Sequence, residues 1–163
     1  MEIVKVDPAN PDKQTMILAA QAIMRGGVIA FPTDTIYGLG CSLFDTGAVE
    51  LVSQLKRRAP HHAFISLIPD ASQADGLALS VNPVARKLIK HCWPGPLSLI
   101  FVAAEIVPVS VRGEGGTIAL RCPIDPLSNA LLKRVGGPVV SSSANLSGQR
   151  PAETAEEVVG YFG

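Results

Sequence analysis

Residues 125–148 read DPLSNALLKRVGGPVVSSSANLSG, and this stretch decides the fold. Asp125 ahead of Pro126 is a helix N-cap followed by proline at the first helical position, where its missing N–H costs nothing. Leu127, Ala130 and Leu131 continue at helical spacing until Gly136-Gly137 stops them. Pro138-Val139-Val140-Ser141 then reads as a short buried strand that ends in a run of hydroxyls. A capped helix leading into an apolar strand with a polar end is the unit of a layered α/β protein.

The alternation continues on both sides. After an extended start at Ile3-Val4-Lys5-Val6, Pro11 stands where a helix could begin, and Met16, Ile17, Ala20, Ile23 and Met24 recur at helical spacing up to Gly26-Gly27. Val28 to Phe31 follows as a strand closed by Pro32. A second helix is expected from Asp45 or Thr46 to about Arg57, with Ala48, Val49, Val52 and Leu55 as its buried stripe. Phe64 to Ile68 reads as a strand, and Asn82-Pro83 repeats the cap signature for a helix that must end before Pro94-Gly95-Pro96. Leu97 to Val102 and Thr117 to Arg121 are strands, and Thr154 with Glu157 forms a capping-box pair for a last helix. That helix has barely two turns before Gly163, so either the domain closes without another strand or the chain lacks a segment its relatives possess.

The 163 residues allow one domain and hardly a second. Charged residues make up 17% against a usual ~25%, and 47% are hydrophobic, which argues against disorder and against a coiled coil. Fourteen Lys and Arg balance fourteen Asp and Glu. A neutral chain has no whole-molecule attraction to nucleic acid, so any anion site must be built locally. Cys41, Cys92 and Cys122 are isolated and odd in number, with no CxxC. Neither metal spacing nor a disulfide framework is expected, and the setting reads as reducing. With no cationic-then-apolar leader and no membrane-length apolar run, the expectation is a soluble cytoplasmic protein.

Three segments are candidates for chemistry. In residues 32–41, PTDTIYGLGC, a strand opens into hydroxyls, a carboxylate and two glycines. Such a loop either offers N–H groups and hydroxyls to a polar ligand or is a tight turn in which Thr33 and Asp34 satisfy the backbone. Gly38 and Gly40 lack the third glycine of a dinucleotide fingerprint, and there is no Walker A sequence. Lys56-Arg57-Arg58 either complements a helix C-terminus or, if the chain unwinds ahead of Pro60, lets Lys56 and Arg58 reach one ligand. Ser141, Ser142, Ser143, Asn145 and Ser147 put five hydrogen-bonding side chains into seven positions at a strand end. Such groups hold an anion without adding charge, or they make local turns. Thr117 and Arg121 share one face of their strand, and Arg suits a carboxylate bidentately. His61-His62 has no third ligand nearby and His91 stands alone, so no metal site is expected.

In this order, residues 31–40, Lys56-x-Arg58, Trp93-Pro94-Gly95-Pro96-Leu97-Ser98, residues 117–121 and residues 141–148 resemble the YrdC-type threonylcarbamoyl-AMP synthase family. The resemblance runs from about residue 15 to the end. The opening residues 7–11 and residues 59–64 are also similar to the YciO-type branch. It implies a single YrdC-like domain: a three-layer mixed, twisted open sheet with flanking helices and a concave, positively lined cavity. Family members are nucleotidyltransferases that condense L-threonine, bicarbonate and ATP, with Mg²⁺ on the phosphates, into threonylcarbamoyl-AMP. A downstream threonylcarbamoyl transferase passes the group to tRNA, and some relatives bind tRNA or double-stranded RNA directly.

Carried over by position, the resemblance makes Lys56 and Arg58 the catalytic, phosphate-contacting pair. It places His62, Thr117, Ser143 and Asn145 around ATP, and Thr35, Arg121 and Ser141 around threonine. The chain departs from the family pattern at Ala59 (a proline in most members), at His62 (often Asn) and at Leu67, where some synthases have a threonine-contacting His. Members also continue past the position of Gly163 into a strand that helps close the site. Two other readings compete. One is a YciO-like RNA- or nucleotide-binding paralogue without synthase activity. The other is a carbamoyl-transfer domain of hydrogenase-maturation type, which usually belongs to a much longer chain.

Overall fold

A computed structural model describes residues 2–33, 36–58 and 63–163. Helix starts follow the caps. Helices α1 (Lys13–Met24), α2 (Thr46–Leu55), α4 (Pro83–Cys92), α5 (Pro126–Val135) and α6 (Ala155–Phe162) each begin after a side chain that accepts a backbone N–H: Asp12, Asp45, Asn82, Asp125 and Thr154. The four-residue α3 (Ala74–Leu77) has no such cap. Leftover donors at the helix starts thus find partners within the sequence that precedes them.

Strands β1 (Ile29–Pro32), β2 (Tyr37–Ser42), β3 (Ile65–Leu67), β4 (Leu99–Val102), β5 (Thr117–Arg121) and β6 (Val139–Ser143) form one mixed sheet in the order β1-β2-β6-β3-β5-β4. Only β3 and β5 run parallel; the other pairs are antiparallel. The expected α/β layering and mixed sheet are therefore present. One local expectation fails: β2 occupies a stretch that reads as a glycine-rich loop. The glycines suit this strand for a steric reason. A Cβ on Gly40 would stand 2.7 Å from the Phe31 ring, and one on Gly38 would stand 3.0 Å from Ser141 Oγ. The strand is held by its neighbours, which lean over it, and not by its own propensity.

Residues paired across a sheet share a face. Gly38 lies opposite Ser143 and Gly40 opposite Ser141, Ser141 opposite Ile65, and Ile65 opposite Ala119. That face therefore carries Ser141 and Ser143 of β6, Ile65 and Leu67 of β3, and Thr117, Ala119 and Arg121 of β5. The opposite face is the main core, in which Leu39, Val140, Ile118 and Leu120 pack with Val49 and Val52 of α2. On the hydroxyl side, Met16, Ala20 and Ile23 of α1 and Leu127, Leu131 and Leu132 of α5 pack over Phe31, Leu67 and Val139. The uncovered remainder is a concavity over the polar end of β6.

Candidate functional site

That concavity has a volume of about 410 Å³, within the usual range of small-molecule pockets. Its floor is Gly38, Ser141 and Ser143, and its walls come from Arg58, Arg121 and the first turn of α5. Among the described residues, the charged ones lining it are Arg58, Arg121 and Asp125.

Helix α2 ends at Leu55, short of the expected Arg57, and Arg57 takes a left-handed φ of 49°. This unwinding brings Lys56 and Arg58 to the same strand end. Lys56 is 3% exposed, and its ammonium donates to the Ser143 carbonyl, to the Asn145 carbonyl at 3.0 Å and to Asn145 Oδ1 at 3.2 Å. An ammonium has three donors, so all are occupied. Lys56 sits behind the turn and is not one of the residues lining the cavity. Burial, reinforced by the Arg58 charge, pushes its pKa down to about 8.

Arg58 lines the cavity directly. Its guanidinium donates to Ser142 Oγ at 3.2 Å and to the Ala63 carbonyl at 2.9 Å, and it lies 4.7 Å from the Phe64 ring centroid. Burial lowers its pKa, but from so high a starting value that the charge persists. Arg121 enters from the end of β5 and donates its Nε–H to the Gly95 carbonyl at 3.2 Å. The Trp93–Pro96 turn thus anchors Arg121 locally. Gly95 is required there, since a Cβ would meet the Cys92 carbonyl at 2.3 Å.

Ser141 and Ser143 line the cavity. Asn145 is buried, with its amide donating to the Leu146 and Gln149 carbonyls at 2.8 Å each, so it braces the turn. Thr117 donates to the Glu114 carbonyl at 3.0 Å and is not among the residues lining the cavity. Thr35 and His62 lie outside the described residues. Two polar lining residues, Asp125 and Ser128, carry no ligand signal in the sequence. Asp125 is legible there only as a cap, yet one oxygen serves that purpose and the other faces no partner. Among the described residues no cluster of three His, Cys, Asp or Glu could hold a metal, the three cysteines are free, and no helix is long and apolar enough to cross a membrane.

Residues 21–163 match the protein-family model Sua5_yciO_yrdC, described as "Telomere recombination". The chain belongs to the Sua5/YciO/YrdC family. Among curated members of the family, a protein of Nitrosococcus oceani named threonylcarbamoyl-AMP synthase is 38% identical over 146 residues, covering 90% of this chain and 79% of its own. The backbone superimposes on P. abyssi Sua5 complexed with L-threonine with a TM-score of 0.88 at 32% identity, over 93% of this chain and 44% of that one. E. coli YciO gives a TM-score of 0.84 at 32% identity, over 94% of this chain and 75% of that one. The chain thus spans less than half the length of that Sua5 protein.

Proposed function

We propose that this protein makes threonylcarbamoyl-AMP from L-threonine, bicarbonate and MgATP, releasing pyrophosphate, in the cytoplasm, for tRNA modification. One observation carries the reading: a single cavity unites a hydroxyl-rich strand end with two arginines, Arg58 and Arg121. That arrangement suits two anionic ligands at once, a polyphosphate near Arg58 and a carboxylate near Arg121. The relatives named threonylcarbamoyl-AMP synthase and the threonine complex of a family member support the same pair of substrates.

The chemistry asks for no covalent nucleophile. Bicarbonate loses hydroxide to give CO₂, threonine's amine adds to that carbon to give a carbamate, and the proton the amine releases leaves with the hydroxide as water. A carbamate oxygen then attacks the α-phosphorus, and the bond to the pyrophosphate oxygen breaks. Arg58 and the Ser143 hydroxyl hold phosphate oxygens, Arg121 holds the amino-acid carboxylate with Ser141 beside it, and the protein acts by positioning and charge neutralisation. Lys56 contributes charge from behind the turn; a direct contact with phosphate requires it to exchange one of its three present acceptors. Thr117, Thr35, His62 and Asn145 complete the proposed surroundings of the two substrates. Mg²⁺ arrives with ATP as part of the substrate.

The test is pyrophosphate release from ATP, with bicarbonate and threonine each withheld in turn. Release that needs all three supports the proposal. RNA binding without such release favours the non-catalytic paralogue.

A further inference from the structure

Arg58 lines the cavity, yet it is held from the core side of the sheet. Two residues hold it there. Phe64 belongs to the main core and is 2% exposed, and Ser142 lies opposite Leu39 and so shares the core face of β6. The guanidinium carbon stands 4.7 Å from the Phe64 ring centroid. One Nη1–H donates to Ser142 Oγ at 3.2 Å, and one Nη2–H donates to the Ala63 carbonyl at 2.9 Å. The Arg58 backbone is fixed as well, its N–H donating to the Ser53 carbonyl at 2.9 Å. A guanidinium has five N–H donors, so two serve the protein and the rest are left for an anion.

These contacts constrain different motions. A ring under the guanidinium restrains its plane, and hydrogen bonds at both Nη atoms stop it turning within that plane. A long side chain without such restraints is ordered only when the ligand arrives, and that lost freedom is subtracted from binding. We propose that Phe64 and Ser142 are positioning residues that preset Arg58 for the polyphosphate of the nucleotide. The inference rests on the proposed function for the presence of ATP at Arg58. Each residue acts through the guanidinium. Removing either one keeps the charge but leaves its ordering to the ligand, so the loss falls on ATP and spares threonine at Arg121.

The experiment measures KM for ATP and for threonine in the pyrophosphate assay, with the calorimetric Kd for MgATP beside them. The proteins are wild type, Phe64→Leu, Ser142→Ala, Ser142→Thr and Arg58→Ala, and Arg58→Ala combined with each of the first two substitutions. Phe64→Leu and Ser142→Ala should each raise KM and Kd for ATP about 3–10-fold, the scale of one cation–π contact or one charged hydrogen bond. KM for threonine should stay within about twofold, because Arg121 is held by other partners. Ser142→Thr keeps the hydroxyl on a side chain suited to a strand and should restore the wild-type value. In the Arg58→Ala background the same changes should move the MgATP Kd by less than about twofold, since the residue they act through is gone. A role in packing alone would lower the amount of folded protein and leave both KM values where they were. Ser142→Ala keeps the test decisive if Phe64→Leu does not fold. Threonine-dependent release in wild type, with KM for ATP within about twofold of wild type in each variant that folds, overturns this assignment and leaves the synthase reading standing. An undiminished effect in the Arg58→Ala background overturns it equally. Absence of threonine-dependent release in wild type overturns the synthase reading and this assignment with it.

Discussion

Lys56 ties the local electrostatics to turnover. With its pKa pushed down to about 8, it loses its proton within the working range, and a neutral amine has two N–H donors for three acceptors. kcat/KM for ATP should therefore fall as pH rises through about 8, an alkaline limb reporting the free enzyme. Stability moves the other way. The unfolded chain keeps the ordinary value of 10.5, so the folded state releases its proton first and gains stability as pH climbs from about 8 towards 10.5. Chemical denaturation of wild type and Lys56→Met across this range should show that gain in wild type alone. Lys56→Ala should slow turnover by roughly 10²–10³-fold, the scale of losing one preorganised charge-stabilising donor. Activity close to wild type would remove Lys56 from the mechanism. The sequence announces the Lys56–Arg58 pair but not its division of labour, because the end of α2 is settled by long-range partners on β6. Thr117 illustrates the same limit: its strand face is legible, its distance from the cavity is not.

Strand β2 makes a test at the scale of elements. Gly40→Ala would place a methyl 2.7 Å from Phe31 and 3.2 Å from the Val140 carbonyl, and it should cost about 1–3 kcal/mol in a urea melt. Gly38→Ala meets the movable Ser141 hydroxyl instead, at 3.0 Å. It should leave the melt nearly unchanged while impairing the reaction, because it displaces a floor group of the cavity. Helix boundaries are readable to within a few residues, since Asp12, Asp45, Asn82, Asp125 and Thr154 each carry their cap in the local sequence. Strand β2 is not, since its stability lies in β1 and β6, which flank it in space. Ser128 is hidden for a related reason: a serine in a helix declares nothing until the sheet beneath that helix is known.

At the scale of the molecule, balanced charge and a half-covered sheet describe a protein whose specificity is concentrated in one concavity. Binding there should couple to global stability. ATP at a hundred times its Kd should stabilise the fold by about 2.7 kcal/mol, and Arg58→Ala should abolish most of that gain. A thermal melt with and without nucleotide measures it. Layering, strand-end chemistry and family membership are all present in the sequence. The union of Arg58, Arg121 and the β6 hydroxyls is present there only as separate signals, because β6 meets β3 and β2 through long connections. The most direct measurement of the central claim follows two labels into one product. Protein incubated with MgATP, ¹³C-bicarbonate and ¹⁵N-threonine should yield a single adenylate that carries both isotopes by mass spectrometry. ATP bound and left intact, or AMP formed without either label, would contradict it.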